Sequence, residues 1–182
     1  MQGAAGKHLG SLALLCYIND MEISVSCKLL LYADDSVLLV SGKKPKDISN
    51  VLTKELQSCS EWLIDNKLSL HLGKTEAILC GSKKKLKNVQ DFEVKCKGVS
   101  ITQVSVVKYL GLNIDSDMSG ESVWKSVISK CNNRLKFLYR PAGCFSVATR
   151  KTLCLALTQC NFDYSVSYWY PTVSQVTLST LE

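Results

Sequence analysis

Residues 28–40, KLLLYADDSVLLV, decide the fold of this chain. Two short apolar arms, residues 29–31 and 37–40, stand on either side of a compact acidic segment. Short apolar runs separated by a tight polar turn are typical of a β-hairpin, because each run has the length of a strand and not of a helix. The pattern therefore predicts a hairpin whose turn carries Asp34 and Asp35.

Asp34 and Asp35 are the only adjacent acidic residues in the chain. Carboxylates placed between apolar strands are costly to bury unless a cation neutralises them. Mg²⁺ is such a cation, since it prefers hard oxygen ligands and is commonly shared between carboxylates and substrate phosphates. A water-exposed acidic turn satisfies the same composition, because Asp is a common turn residue. From these residues alone, a metal site and a solvated turn both stay open.

Outward from this hairpin, helical and strand-like patterns follow one another. Upstream, the dense apolar run 9–17 predicts a buried helix. Downstream, Asp47 is placed to cap a helix whose apolar residues recur every three to four positions, which gives it one buried face. Alternating apolar residues then predict short strands at 68–72, 77–80 and 92–96.

The last third of the chain changes to a helical period. From Glu121, apolar residues recur at helical spacing, and Ser146 is placed to cap a second helix. Just before this change, the apolar stretch 106–114 predicts a bent strand, because Gly111 lies inside it. Mixed strands and helices followed by helices alone predict the α+β class, with antiparallel hairpins backed by helices. The change of pattern divides the chain into residues 1–118 and 119–182.

The composition restricts the partners and the compartment. Lys and Arg number 22 against 16 Asp and Glu, and the net charge of +6 suits a phosphate-rich partner. Nine cysteines without a C-x2-C pair indicate free thiols in a reducing compartment, so we expect an intracellular protein. The apolar run 9–18 lacks a small-x-small cleavage site and is too short to span a bilayer. Neither a signal peptide nor a membrane segment is expected.

Motifs on both sides of the hairpin point to one protein family. Tyr32-Ala33-Asp34-Asp35 with its apolar arms resembles the metal-binding hairpin of reverse transcriptases. Residues 9–20 resemble the helix that precedes this hairpin in non-LTR (LINE-type) retrotransposon enzymes. Similar motifs follow in family order at Trp62, Asn66-Lys67-Leu68-Ser69-Leu70, Lys74-Thr75-Glu76, Lys108-Tyr109-Leu110-Gly111-Leu112, Thr149-Arg150-Lys151 and Asn161-Phe162-Asp163-Tyr164. The resemblance covers about residues 9–170 and implies a partial polymerase palm, residues 1–118, followed by a helical, thumb-like segment.

The resemblance implies a role for each matched residue of the acidic turn. Asp34 would be the main metal ligand of the hairpin, and Asp35 the adjacent carboxylate. Tyr32 would lie near the primer terminus. The implied cofactor is Mg²⁺ or Mn²⁺, and the implied reaction is two-metal nucleotidyl transfer on an RNA template with a DNA primer.

Further roles are implied for residues that contact nucleotide or nucleic acid. Lys74 would approach the triphosphate of the incoming nucleotide, with an exposed turn lysine as the alternative. Residues 108–112 would form a hairpin similar to the family's primer grip, on which Tyr109-Leu110-Gly111 would hold the primer strand, with a plain core hairpin as the alternative. Nucleic acid would also be contacted by Arg150 and Lys151. The lysines of residues 83–87 are expected to form a solvated basic loop, with contact to the nucleic acid backbone as the alternative.

The chain departs from the family pattern in its first residues. Residues 1–19 contain no Asp or Glu, although the family has a third catalytic carboxylate upstream of the first helix. The place of the family's Gln-Gly-Ser segment is held by Ala5-Gly6-Lys7. We therefore expect a fragment, the later half of a palm with the start of a thumb, that binds metal weakly and has little activity alone. An exposed palm edge would favour self-association. Two alternatives stay open: a nucleic-acid-binding module without catalysis, and an active enzyme whose missing fingers and carboxylate come from another chain or a longer transcript.

Overall fold

The computed structural model describes residues 16–89 and 91–172 of the chain. The chain forms two compact units. Unit 1 comprises Met1–Leu79 and Lys87–Gln103, and unit 2 comprises Cys80–Leu86 and Val104–Glu182. The boundary expected near residue 118, where the sequence pattern becomes helical, stays a prediction.

The predicted acidic hairpin is present in unit 1. Strand β1 (Lys28–Tyr32) pairs antiparallel with strand β2 (Asp35–Leu39). Because side chains alternate across a strand, Leu29 and Leu31 share one face of this ladder. The hairpin prediction is confirmed. The helix predicted at 9–17 lies almost entirely outside the described residues. The first described residues, 16–18, are helical.

Helix α1 (Pro45–Asp65) follows the hairpin. Proline favours the first position of a helix, because its fixed φ suits the helix and its missing N–H has no partner there. The cap predicted at Asp47 is wrong: the capping position is Lys44, whose side chain makes no capping hydrogen bond. Asp47 lies inside the first turn, where its negative charge interacts favourably with the positive end of the helix dipole.

Helix α1 takes part in two apolar clusters of unit 1. The first cluster joins Cys59 of the helix to Leu29 of the hairpin and to Met21, with Leu31, Trp62 and Leu63 packed against it. The second cluster joins Leu56 to the segment after residue 90, through the buried residues Phe92, Val94, Cys96 and Ile101. The acidic hairpin is therefore supported by a helix that is itself held from a second side.

Short strand pairs complete unit 1. The strand predicted at 92–96 is reduced to Lys95–Cys96, although the burial alternates as expected, since Phe92, Val94 and Cys96 are buried and the residues between them are exposed. Strand β3 (Glu76–Ala77) is followed by three more short strands, β4 (Lys95–Cys96), β5 (Val99–Ser100) and β6 (Thr102–Gln103). Strands β3 and β6 pair in parallel, and strands β4 and β5 pair antiparallel.

Two other predicted strands in unit 1 need correction. The strand predicted at 68–72 is wrong, because this segment has no ladder partner in residues 16–89 and 91–172 and ends in a 3₁₀ turn at Leu72–Lys74. The strand predicted at 77–80 is reduced to the pair Glu76–Ala77. Leu70 and Leu72 still pack against the second cluster, so their spacing reflects burial and not a sheet.

Unit 2 contains a second hairpin where a bent strand was predicted. Strand β7 (Val106–Tyr109) pairs antiparallel with strand β8 (Leu112–Asp115). The bent strand or bulge expected from Gly111 is wrong, because Leu110 and Gly111 have φ values of 47° and 82°, and two successive positive φ angles reverse the chain. A hairpin at these residues, which the family resemblance implied, is present. The basic loop predicted near residue 83 contains one helical turn, α2 (Lys83–Leu86).

The remainder of unit 2 is helical, as predicted. Helix α3 (Glu121–Tyr139) is followed by helix α4 (Val147–Cys154). The cap predicted at Ser146 is confirmed, since the Thr149 backbone N–H donates to its hydroxyl at 3.1 Å. The chain continues through a π-helical turn and two short helices, namely Leu155–Gln159, α5 (Cys160–Asp163) and α6 (Val166–Trp169).

One apolar cluster holds the helices of unit 2 together. It is formed by Val123, Val127 and Cys131 of α3 with Trp169 of α6. The α+β class predicted from the sequence is confirmed. All nine cysteines, which lie within the described ranges, are free thiols. In residues 16–89 and 91–172, every helix is too short or too polar to cross a membrane.

Candidate functional site

The acidic turn presents its polar groups to solvent. Tyr32 and Asp35 form the last pair of the β1–β2 ladder, and Ala33 and Asp34 make the two-residue turn between them. Ala33 has a φ of 52°, so the chain reverses at a residue without the freedom of glycine. All four residues are exposed, and the Tyr32 side chain is 63% exposed. Among the described residues, neither carboxylate has a hydrogen-bond or ion-pair partner, so both are available to a ligand.

The donor chemistry of this turn fits a hard divalent cation. Mg²⁺ is commonly held by one or two carboxylates, with water and substrate phosphates completing its shell. Asp34 and Asp35 supply two such carboxylates on one tight turn. Nowhere in residues 16–89 and 91–172 do three His, Cys, Asp or Glu side chains come together as a ready-made metal site. The described residues therefore suit an ion whose other ligands are water molecules and substrate phosphates.

A buried glutamate fixes the base of the hairpin, and the sequence analysis missed it. Glu55 of α1 is 6% exposed, and its carboxylate accepts hydrogen bonds from the backbone N–H of Ser26 at 2.6 Å and of Cys27 at 3.3 Å. These residues lead directly into β1. A signal was present in the sequence, because Glu55 lies between Leu52 and Cys59 on the apolar face of the predicted helix.

Lys74 lies on a different segment of unit 1. It ends the 3₁₀ turn Leu72–Lys74, and its backbone N–H donates to the His71 carbonyl at 3.0 Å. The Thr75 hydroxyl donates to the same carbonyl at 3.1 Å, so the turn is fixed while the lysine side chain is exposed. Within the described part of the chain, no ion pair joins Lys74 to the acidic turn.

The turn of the second hairpin is held by a distant tyrosine. Tyr109 and Leu110 are half-buried, and Gly111 is exposed. The Tyr164 hydroxyl donates a hydrogen bond to the Leu110 carbonyl. Beside this turn lies a cleft of about 180 Å³, lined by residues of the hairpin, of α3 and of the segment around Tyr164. The motif 109–111 thus forms a hairpin turn beside a cleft, and its role in holding a primer strand stays a prediction.

The remaining predicted contacts are basic residues on the surface of unit 2. Arg150 and Lys151 are exposed on α4, a helix without a buried residue. Lys83 is partly neutralised, since its ammonium lies 3.2 Å from the Asp117 carboxylate. Hydrogen bonds from Ser119, and secondarily the Lys83 charge, hold the pKa of Asp117 below its usual range. Arg150 and Lys151 keep their charge free of such a partner among the described residues.

The net positive charge of the chain comes from one unit. Unit 1 contains 11 Lys and Arg against 11 Asp and Glu, whereas unit 2 contains 11 against 5. The whole excess of +6 therefore belongs to unit 2. A phosphate backbone would be attracted by unit 2, while the candidate metal site lies in a unit of zero net charge.

The candidate residues thus form separate groups. Tyr32, Asp34 and Asp35 share the first turn, and the motif 109–111 forms the second. Lys74 lies on its own segment of unit 1, and the pair Arg150 and Lys151 lies on a helix of unit 2.

Comparison with known proteins assigns most of this region to one family. A family model described as reverse transcriptase (RNA-dependent DNA polymerase) matches residues 5–114. The match contains both hairpins apart from the last residue of β8, together with α1 and the segment that carries Lys74. No curated protein and no solved structure matches the chain.

Proposed function

The chain belongs to the reverse transcriptase family, and from this premise we propose that it is part of the RNA-directed DNA polymerase of a non-LTR (LINE-type) retrotransposon. The observation that carries the proposal is the acidic turn, because two exposed carboxylates lie on a tight hairpin inside the family match. Enzymes of this family act on a template and a primer, and they use Mg²⁺ or Mn²⁺. Unit 1 then corresponds to much of a partial palm.

In this proposal, Asp34 is the main metal ligand and Asp35 the adjacent one. When bound, the divalent ion supplies a Lewis acid that activates the primer hydroxyl and neutralises charge on the phosphates. Tyr32 contacts the primer end in this proposal, and its exposed side chain, paired with Asp35 across the ladder, supports this role. Glu55 and the packing of β1 on α1 keep this turn in one position.

The other residues of the proposal bind the substrates. Lys74 provides a cation for the triphosphate of the incoming nucleotide, and its fixed backbone with an exposed side chain suits this role. The turn at 109–111 holds the primer strand. Arg150 and Lys151 contact the nucleic acid backbone, which the charge of unit 2 supports.

We further propose that this chain polymerises weakly by itself. Residues 1–19 contain no Asp or Glu. This segment therefore provides no third carboxylate to bind a metal ion together with Asp34 and Asp35. Two carboxylates instead of three would reduce both metal affinity and the electrostatic stabilisation of the transferred phosphoryl group. The expected activity is therefore low even though the family is that of a polymerase.

A second function is favoured by the charge distribution. Because unit 2 carries the whole positive excess, the chain is suited to bind nucleic acid without any metal chemistry. A non-catalytic binding module of this kind would bind with an affinity that falls steeply with salt. Its binding would be indifferent to loss of the Asp34 and Asp35 carboxylates.

We also propose that the chain associates with itself through the acidic hairpin. Strands β1 and β2 form a two-stranded sheet, so each has an edge without a ladder partner among the described residues. Leu39 on β2 is 45% exposed. Unpaired edges with apolar side chains favour pairing with another chain. Sedimentation of the Leu39→Lys variant should show less oligomer than the wild type, and equal association in both would refute this interface.

The proposed polymerase function is tested by metal binding and by primer extension together. Titration with Mn²⁺, followed by electron paramagnetic resonance, should show binding that Asp34→Asn removes. Asp65→Asn is the matched control, because Asp65 is an exposed carboxylate at the end of α1 in the same unit. Extension of a DNA primer on an RNA template should be weak and should disappear in the Asp34→Asn variant only.

The outcomes separate the two functions. Mn²⁺ binding that both variants retain would refute the metal site. If the chain also bound a primer–template duplex tightly, the non-catalytic module would replace the polymerase as the function. Vigorous Asp34-dependent extension would confirm the polymerase and refute the proposal of weak activity.

A further inference from the structure

The carbonyl of Leu110 lies at the tip of the second hairpin, outside its ladder. The ladder ends at the pair Tyr109 and Leu112, and the two turn residues both have positive φ. A carbonyl in this position has no partner within the hairpin. The hydrogen bond from the Tyr164 hydroxyl, 54 residues later, supplies one. The orientation of the turn therefore depends on a residue from a separate helical segment.

Tyr164 is well placed to fix the turn, because its own backbone is held at both ends. Its N–H donates to the Cys160 carbonyl at 3.3 Å, and its carbonyl accepts from the indole N–H of Trp169 at 3.2 Å. Trp169 is 3% exposed and belongs to the apolar cluster of unit 2. The phenol thus extends from a rigid part of the core to the tip of the hairpin.

The segment before Tyr164 is held just as firmly. A π-helical turn, Leu155–Gln159, leaves backbone carbonyls without regular helical partners. The Leu157 carbonyl accepts from the Arg134 guanidinium at 2.6 Å and from the Asn161 amide at 2.8 Å. Arg134 lies on α3, so its bond joins the segment to that helix, whereas the Asn161 bond lies within the segment. Asn161 and Tyr164 both belong to the sequence motif 161–164.

We infer that Tyr164 is a positioning residue that sets the orientation of the turn at 109–111 for the nucleic acid strand. The inference rests on the proposed function, in which this turn holds the primer. Tyr164 itself is 50% exposed, so burial of its ring is a small part of its contribution. A Cβ added at Gly111 would lie 4.0 Å from the Tyr164 hydroxyl, which shows how closely the phenol flanks the turn. Its role is carried by the hydroxyl and not by contact with the strand.

The variant Tyr164→Phe tests the inference, because it removes only the hydroxyl. Loss of one neutral hydrogen bond changes an equilibrium about fivefold, the ratio that corresponds to about 1 kcal/mol. Backbone amides of residues 110–112 should therefore exchange with solvent about fivefold faster, measured by hydrogen exchange. The affinity for a primer–template duplex, measured by fluorescence anisotropy, should fall by about the same factor. The salt dependence of binding should not change, since no phosphate contact is removed.

Tyr17→Phe is the matched control. The Tyr17 hydroxyl donates to the Asn66 backbone carbonyl in unit 1, so this variant loses a bond of the same kind in the other unit. Both variants should lower the melting temperature similarly, but only Tyr164→Phe should change the exchange of residues 110–112 and the duplex affinity. A merely structural role would give both variants the same duplex affinity.

The two possible failures are distinguishable. Unchanged exchange at residues 110–112 in Tyr164→Phe refutes the role of the hydroxyl in fixing the turn. Faster exchange with unchanged affinity refutes its role in placing the nucleic acid strand. A wild-type chain that binds no duplex refutes the proposed function itself, and that result is visible without any variant of Tyr164.

Discussion

Replacement of Glu55 should destabilise the acidic hairpin more than any exposed charge on the same helix. Its carboxylate is buried and accepts two backbone N–H groups, from Ser26 at 2.6 Å and from Cys27 at 3.3 Å. A hydrogen bond to a charged group contributes about 1.5–3 kcal/mol, and the longer bond adds about 0.5 kcal/mol. We expect Glu55→Ala to lower the free energy of unfolding by about 2–3.5 kcal/mol. Glu55→Gln keeps an acceptor oxygen and should cost about 1 kcal/mol, because neutral bonds are about half as strong.

Hydrogen exchange of the β1 amides is the appropriate assay, because it measures the opening of unit 1 without assuming that both units unfold together. Glu61→Ala is the matched control. Glu61 lies on the same helix, is exposed, and its only hydrogen bond among the described residues comes from Gln57 in the adjacent turn at 2.9 Å. Its replacement should change stability by less than about 0.5 kcal/mol. If the β1 amides exchanged no faster in Glu55→Ala than in Glu61→Ala, the proposed stabilisation of the base of the hairpin by Glu55 would be refuted.

Three further predictions concern the two turns and the buried thiols. Ala33→Gly should stabilise the acidic hairpin by about 0.5–1 kcal/mol in urea unfolding, because a φ of 52° strains alanine; Ala77→Gly, in a regular strand, should destabilise instead. Gly111→Ala should cost about 1–2 kcal/mol at a φ of 82°, whereas Gly143→Ala, with open space around it, should be nearly neutral. Burial raises the pKa of the Cys59 thiol, so the folded state favours the neutral thiol. This thiol's contribution to stability is complete below the unfolded pKa of about 8.5 and is lost as pH rises above it. Unfolding measured from pH 8 to 10 should therefore show falling stability, with a smaller slope in Cys59→Ala; an unchanged slope would contradict this.

The parts of the fold that could be predicted from sequence are those decided by neighbouring residues. The acidic hairpin follows from two apolar runs of strand length around a polar turn. The cap at Ser146 follows from a side chain that bonds the backbone three residues away. In both cases the interacting groups are close in sequence, so the pattern contains the information that the structure uses.

The parts that failed depend on partners distant in sequence or on unusual backbone angles. The apolar alternation at 68–72 indicates burial, but a strand also needs a ladder partner, which this segment lacks. The turn at Leu110 and Gly111 needs positive φ twice, and leucine rarely takes that conformation, so the sequence suggested a bent strand. The contacts of Glu55 and Tyr164 reach 28 and 54 residues along the chain, and no local pattern contains them.

The two hairpins have the same architecture but are held in place at opposite ends. The first carries its carboxylates on an exposed turn and is fixed from its base, through Glu55 and α1, so that the turn itself stays open to a ligand. The second is fixed from its tip, through Tyr164, so that the shape of the turn is set by the unit's own core. A turn that binds a small cation needs free oxygens, whereas a turn that supports a strand of nucleic acid needs a defined surface. The position of the anchor in each hairpin therefore agrees with the role proposed for it.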